Sequence, residues 1–276
     1  MVCEKIELKE YYSFLGEDGR NPTLEMFLPY NLKEMKRDDE LRPCMLVCPG
    51  GGYGFCSERE SEPIALKFLE MGFNVFVLTY SVAPNLFPAQ IREVAAAMEL
   101  IYKNAAEWHC DTEKIAIIGF SAGGHLAAHY STMFDCKEVR EVFPESKSVN
   151  ASILCYPVIT ADFNHAHKGS FLNLIGHEPT EEEVNYFSCD RNVKPTTPPA
   201  FIWHTAEDTC VPVKNSLLYA DACAQNKVPF ELHIYPYGWH GLSTSDRLTN
   251  TPSSITAYDN QWLDCAKKWL KLTFNY

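Results

Sequence analysis

The chain has 276 residues, enough for one large α/β domain or two small ones with a sizeable core. It carries 24 Lys and Arg against 36 Asp and Glu, a net charge of −12, with no basic block, which argues against nucleic acid and anionic membranes as partners. Eleven cysteines are scattered without a C-x-x-C pair, which argues against a disulfide framework and for reduced core thiols in a cytosolic protein.

The start, MVCEKIELKEYY, is charged and lacks an apolar h-region, so no signal peptide is expected. No apolar run approaches the length of a membrane span, so no transmembrane helix is expected either. Residues 4–14 and 22–31, split by Gly16, Gly19 and Pro22, read as a hairpin of two edge strands. Residues 33–43 are polar and read as a solvated turn. Met45 to Cys48 read as a buried strand ending in Pro49-Gly50-Gly51-Gly52-Tyr53-Gly54. Ser57 and Glu60 have capping-box spacing, Ile64, Phe68 and Met71 follow at helical steps, and Gly72 closes that helix. Phe73 to Tyr80 is the next expected strand, and Pro84 and Pro88 punctuate a loop. Ile91, Val94, Met98, Ile101, Ala105 and Trp108 lie on one face of an amphipathic helix.

Lys114 to Gly119 is expected as a strand buried on both faces, followed by a buried helix of small residues. Residues 135–148 read as loop, and Ala151 to Tyr156 as strand. Residues 157–198 break the rhythm. They are polar and Pro-punctuated, with short helical stretches near 170–175 and 180–187, and read as a lid or surface insertion over the sheet edge. Ala200–Thr205 and Phe230–Tyr235 are strands around a helix over Val213–Gln225, and Tyr258, Trp262, Cys265 and Trp269 mark a last amphipathic helix. The alternation predicts a single α/β domain over 1–276, with a mostly parallel sheet flanked by helices on both faces.

The chemistry centres on Gly119-Phe120-Ser121-Ala122-Gly123. A G-x-S-x-G between strand and helix fits a nucleophile elbow, where the chain reverses so tightly that only small residues fit two positions either side of the serine. An idle serine in a Gly-rich turn is the bland alternative. A serine hydroxyl needs a histidine to take its proton and a carboxylate to orient that histidine. Ligands in open α/β sheets gather at the carboxyl ends of strands, so the late strand ends are the places to look. After Thr205 come Glu207 and Asp208; Asp208 is the expected acid and Glu207 its competitor. After Tyr235 comes Pro236-Tyr237-Gly238-Trp239-His240-Gly241, and of nine histidines His240 alone has this context and order. His125 reads as a packed helix residue, His204 and His233 as core, and His165 with His167 as a surface pair with no metal-ligand set to complete it. An oxyanion needs donors: the amide after the nucleophile, Ala122, and those of the Gly50-Gly51-Gly52 loop. That triglycine could instead cradle phosphate, but no P-loop lysine follows it.

Together the motifs resemble the α/β-hydrolase family, and more narrowly its small esterases of the hormone-sensitive-lipase and acetyl-xylan/feruloyl-esterase type. The resemblance rests on PGGGY (49–53), YSVAPNLFPA (80–89), DTEKIAIIGFSAGGHLAA (111–128), PPAFIWHTAEDTCVP (198–212) and YGWHG (237–241), and covers roughly residues 40–275. It implies a triad of Ser121, Asp208 and His240, and oxyanion donors at Gly51, Gly52 and Ala122. Pro49 stands where many members have histidine, as in a PGGGY branch that includes deacetylases of sugars and xylan. The long N-terminal helical cap of hormone-sensitive-lipase-like enzymes is absent, which leaves 157–198 as the lid. The expected activity is that of a serine carboxylesterase cleaving short acyl esters, acetyl groups on carbohydrate among them, without metal or organic cofactor. An amide hydrolase (peptidase or arylformamidase) and a catalytically dead binding module are the alternatives. Tyr53 and Trp239, next to groups that must touch substrate, are expected to line the site and to favour acetyl over long acyl chains. A small ester or acylated sugar is the expected partner, and a homodimer stays open.

Overall fold

The computed structural model describes residues 1–251 and 261–276. Eight strands run in chain order β1 (Val2–Glu7), β2 (Thr23–Leu28), β3 (Arg42–Cys48), β4 (Asn74–Thr79), β5 (Cys110–Phe120), β6 (Ala151–Cys155), β7 (Ala200–Thr205) and β8 (Phe230–Tyr235). They form one sheet in the order β1-β2-β4-β3-β5-β6-β7-β8, antiparallel in its first two pairings and parallel from β4 onward. The helices are α1 (Leu8–Tyr11), α2 (Glu62–Leu69), α3 (Ala89–Lys103), α4 (Ala122–Met133), α5 (Lys137–Arg140), α6 (Lys168–Ile175), α7 (Glu181–Phe187), α8 (Lys214–Gln225) and α9 (Gln261–Phe274).

The central strands are apolar on both faces because helices cover both. Leu46, Ile115 and Ile117 point into one core with side chains of α3, α4 and α8. Met45, Val47, Ala116 and Ile118 point into the other with Ile64 and Phe68 of α2 and Trp262, Leu263 and Leu270 of α9. This is the period-2 alternation of a strand with an apolar environment on each side. Trp262 stacks on Trp203 of β7 at 4.9 Å and donates its indole N–H to the Ser243 carbonyl at 3.0 Å, so α9 also pins the loop beyond β8. Burying each such large apolar side chain contributes roughly 1.5–3 kcal/mol. No helix among the described residues is long and apolar enough to cross a membrane.

Several local expectations differ from the structure. The edge hairpin pairs Val2–Glu7 with Thr23–Leu28, but β1 stops at Glu7. Leu8 and Leu15 are drawn into the core, and the connection winds through α1 and a 3₁₀ stretch over Ser13–Gly19. Residues 135–148 contain α5, anchored by buried Val139 and Phe143. The amphipathic helix ends at Lys103, capped by the Asn104 side chain on the Leu100 carbonyl at 2.8 Å; Ala105 and Trp108 pack beyond its end. Ser57 and Glu60 form no capping box, because Glu60 is buried and bonded elsewhere. His233 is half-exposed and bonded to Glu231 because β8 is the edge strand. Of the last-helix residues, Tyr258 lies outside the described residues.

Packing is very tight at the crossing of β5 and α4. A Cβ on Gly123 would stand 2.2 Å from the Cys48 carbonyl oxygen and 2.3 Å from that of Pro49, and one on Gly119 would stand 2.1 Å from the Gly123 carbonyl oxygen. Backbone must move to admit either methyl group. Gly123→Ala is therefore expected to lower the unfolding free energy by about 2–3 kcal/mol, the usual scale of overpacking. Urea denaturation checks this; an unchanged midpoint would mean that strand and helix are not in close contact there.

Candidate active site

The close crossing forces Ser121 into φ 52°, ψ −117°, a conformation that an L-residue holds only when its surroundings impose it. They do so through three backbone bonds. The Ser121 amide donates to the Cys155 carbonyl at 3.0 Å, and its carbonyl accepts the amides of His125 at 3.1 Å and Val158 at 3.0 Å. The side chain stands at the carboxyl end of the sheet, 6% exposed. Loops from two later strands reach it. His240 Nε2 lies 2.8 Å from Ser121 Oγ, and His240 Nδ1 lies 2.6 Å from Asp208 Oδ2. The three residues expected to act together from sequence are thus within hydrogen-bond reach in one line.

Asp208 is buried and well supplied with donors. Oδ1 accepts the amides of Cys210 and Val211, each at 2.9 Å. Oδ2 accepts from His240 and, at 3.2 Å, from His204 Nε2. Burial by itself would raise the carboxyl pKa, but the bonds from His204 and His240, the His240 charge and the Val211 amide outweigh it and hold the group well below the usual carboxylate range. His204 sits one helical-type step away in sequence, and its Nδ1 meets the Ser216 hydroxyl at 2.8 Å. Glu207 is exposed and accepts the Gly238 amide at 3.3 Å, away from the histidine.

The triglycine loop faces Ser121 across a cavity of about 440 Å³. Gly51 and Gly52 have φ 129° and 63°, open mainly to glycine, and line the cavity beside Ser121 and His240. The Gly50 amide is taken by Glu60 Oε2 at 2.8 Å, while no hydrogen bond to a described residue uses the amides of Gly51 and Gly52. Ala122 begins α4, so its amide has no partner within the helix. The loop's carbonyls are fixed from outside: Pro49 by the Tyr80 hydroxyl at 2.5 Å, Gly52 by the Asn173 side chain at 2.9 Å.

Neither expected ring lines the cavity. Tyr53 has φ 57°, which turns its side chain beneath the loop; it is 1% exposed and donates its hydroxyl to His125 Nδ1 at 2.8 Å. Trp239 points outward and is 51% exposed. Part of the polar lining comes from residues 157–198. His167 and Asn173 of this segment line the cavity with Arg59 and Glu60. His167, expected as half of a surface pair, is half-buried with Nδ1 on the Ser170 hydroxyl at 2.8 Å, while His165 stays exposed. Burial lowers the His167 pKa, the His240 charge adds to this, and Asp208 opposes it. Sequence reasoning missed His167, Asn173 and Glu60 as cavity residues. Their only local signals were a polar insertion and an acidic residue eight positions past the triglycine.

Architecture and geometry define the class: an eight-stranded, mostly parallel sheet with a serine lifted at a strand–helix reversal is the α/β-hydrolase fold. A family model described as BD-FAE matches residues 30–223, and the chain belongs to that family. The endo-1,4-beta-xylanase B of Butyrivibrio fibrisolvens is 40% identical over 228 residues, 80% of this chain and 35% of that protein. The acetylxylan esterase of Xylanibacter ruminicola is 30% identical over 276 residues, 98% of this chain and 52% of that protein. The chain therefore spans about a third to a half of the length of these two relatives. Among solved structures, an acetyl ester-xyloside bifunctional hydrolase from Caldicellulosiruptor lactoaceticus superposes with a TM-score of 0.84 at 34% identity, covering 98% of this chain and 96% of that one.

Beneath the site, His125 is fully buried between the Tyr53 hydroxyl and the Phe187 carbonyl, 2.8 Å from Nε2. Nε2 carries the proton and Nδ1 accepts, so the ring is neutral. Burial pushes its pKa from 6.5 down to about 4, against the pull of the Phe187 carbonyl. The sign follows: between pH 6.5 and 4 the unfolded chain takes up a proton that the folded one refuses, so His125 costs stability as pH falls through that window. Glu93, pushed up to about 7 by burial, acts oppositely over the range from 7 to 4.5, so the His125 part must be read as a difference. The stability of wild type relative to His125→Gln should fall by about 3 kcal/mol from pH 7 to pH 4. Denaturant melts at each pH test it; a pH-independent difference would mean that His125 takes up its proton as readily in the folded state as in the unfolded one.

Proposed function

We propose that the chain is a serine carboxylesterase that removes short acyl groups, acetyl above all, from carbohydrate. The observation that carries this is the Oγ–Nε2 and Nδ1–Oδ2 relay of Ser121, His240 and Asp208, opening on a cavity whose far wall is polar. The esterase and bifunctional-hydrolase names of the relatives support it. Ser121 Oγ attacks the ester carbonyl as His240 Nε2 takes its proton. The tetrahedral oxyanion forms against the amides of Gly51, Gly52 and Ala122. His240 then returns the proton to the departing alcohol oxygen, leaving an acyl-serine and a free sugar hydroxyl. Water repeats the sequence to release acetate. Asp208, ionised throughout, keeps the His240 proton on Nδ1 and stabilises the imidazolium.

Residues 157–198 serve in this reading as a fixed roof over the alcohol side within a single domain. Support comes from Phe171 and Leu174 in the core and from the Leu174 carbonyl, which accepts the Phe87 amide at 2.8 Å. His167 Nε2 and the Asn173 side chain are the groups offered to sugar hydroxyls. The free thiols fit a reducing, cytosolic compartment.

The decisive experiment sets p-nitrophenyl acyl esters and acetylated xylo-oligosaccharides against a peptide anilide. Acetyl substrates should turn over and the anilide should not; the reverse would make the protein an amidase. Ser121→Ala should lose on the order of a million-fold in kcat, and Asp208→Asn about ten-thousand-fold, with Glu207→Gln near wild type. His167→Ala should raise KM for acetylated xylo-oligosaccharide by about tenfold, one good hydrogen bond, and leave p-nitrophenyl acetate unaffected. Equal effects on both substrates would remove His167 from sugar recognition.

A further inference from the structure

The cavity floor holds a carboxylate that the proposed chemistry leaves unused. Glu60 is 3% exposed, and both of its oxygens are engaged. Oε2 accepts the Gly50 amide at 2.8 Å, and Oε1 accepts the Tyr156 hydroxyl at 2.6 Å. The Tyr156 oxygen in turn accepts the Ser243 amide at 2.9 Å. One unbroken chain of hydrogen bonds therefore joins the loop after β3, the end of β6 and the loop after β8. These are the segments that carry the oxyanion glycines and the proton-accepting histidine. The Ser243 hydroxyl closes the circuit by donating to the Arg59 carbonyl at 2.6 Å.

Two further details link this chain to the reacting groups. Tyr156 has φ 37°, and in that conformation its ring lies edge-on to His240 at 5.1 Å. Gly50 is pressed against the nucleophile, since a Cβ there would stand 2.6 Å from Glu60 Oε2 and 3.1 Å from Ser121 Cβ. Any displacement of Gly50 moves the next two amides relative to Ser121. Burial raises the Glu60 pKa, while Tyr156, Gly50, His240 and Arg59 pull it down. A carboxylate kept in such a place at that cost needs every one of its bonds.

Building on the esterase reading, we infer that Glu60 is a positioning residue: through Gly50 it sets the oxyanion-loop amides over Ser121, and through Tyr156 it locks that setting to the His240 loop. The contribution falls in the transition state, because the oxyanion exists only there.

The test uses full-length Glu60→Gln, Tyr156→Phe and the double variant, with p-nitrophenyl acetate turnover, the rate of Ser121 labelling by a fluorophosphonate, and thermal melting. Gln presents an NH₂ to one of two donors and so breaks the chain at one link; Phe removes the middle link. Each single variant should lose about 10- to 100-fold in kcat, below the 10²–10³ cost of deleting an oxyanion donor outright, with KM within about threefold. Labelling should slow by a similar factor, since the phosphonyl oxygen occupies the same donors. The double variant should be no slower than the worse single one, because the two residues form one unit. Folded single variants with kcat within twofold of wild type would overturn the role, as would losses that multiply in the double variant. If one single variant does not fold, the other is read alone; if neither folds, Glu60 is a folding determinant and the positioning role falls. Failure of the esterase reading shows differently: the wild type would then neither hydrolyse p-nitrophenyl acetate nor take up the fluorophosphonate.

Discussion

The close approach of β5 and α4 is the constraint from which the site follows. Gly119 and Gly123 bring strand and helix within carbonyl contact, and the chain between them has room for only one sharp reversal. Ser121 occupies that reversal at a positive φ, and the strain is carried by flanking apolar strands too well packed to yield. The result is a hydroxyl fixed above the sheet, with α4 beginning immediately behind it. The same crossing holds the carbonyls of Cys48 and Pro49 against the helix, so Ser121 and the triglycine loop are registered through one contact.

Much of this was legible in the sequence because it is local. An apolar run, a glycine-flanked serine and a small-residue helix specify the elbow within seventeen residues, Lys114 to Tyr130. Asp208 and His240 each follow a readable strand in the order that a parallel sheet demands. Asp208 could be preferred over Glu207, and the structure shows the physical difference: one side chain turns inward to four donors, its neighbour outward to solvent.

What escaped the sequence depends on tertiary partners. Glu60 has the spacing of a capping box with Ser57, a strong local signal, yet the Gly50 amide and Tyr156 hydroxyl draw its side chain elsewhere. Tyr53 sits next to the triglycine in sequence, but its left-handed backbone sends the ring to His125. Proximity along the chain says little about direction where φ is positive. His167 looked like half of an exposed pair because nothing local shows that α6 comes down over Ser121. The segment 157–198 is held by Phe171, Leu174 and Phe187, residues that pattern reading could place only as short helical stretches.

The two buried carboxylates near His240 show how environment divides their roles. Asp208 accepts four hydrogen bonds, two from backbone amides and two from imidazoles, and stays ionised far into acid. Glu60 accepts two, one of them from a neutral phenol, and its proton affinity is raised by burial. On the proposed esterase mechanism, two similarly supplied carboxylates beside His240 would stabilise the imidazolium from both sides and slow the return of its proton to the leaving alcohol. Splitting the pair avoids this. On the proposed mechanism the carboxylate with more donors sits on Nδ1, where it fixes the tautomer, and the one with fewer is turned toward a backbone amide and a hydroxyl, where its proposed value is geometric. On this reading the same functional group serves charge in one place and distance in the other, and the number of donors around each decides which.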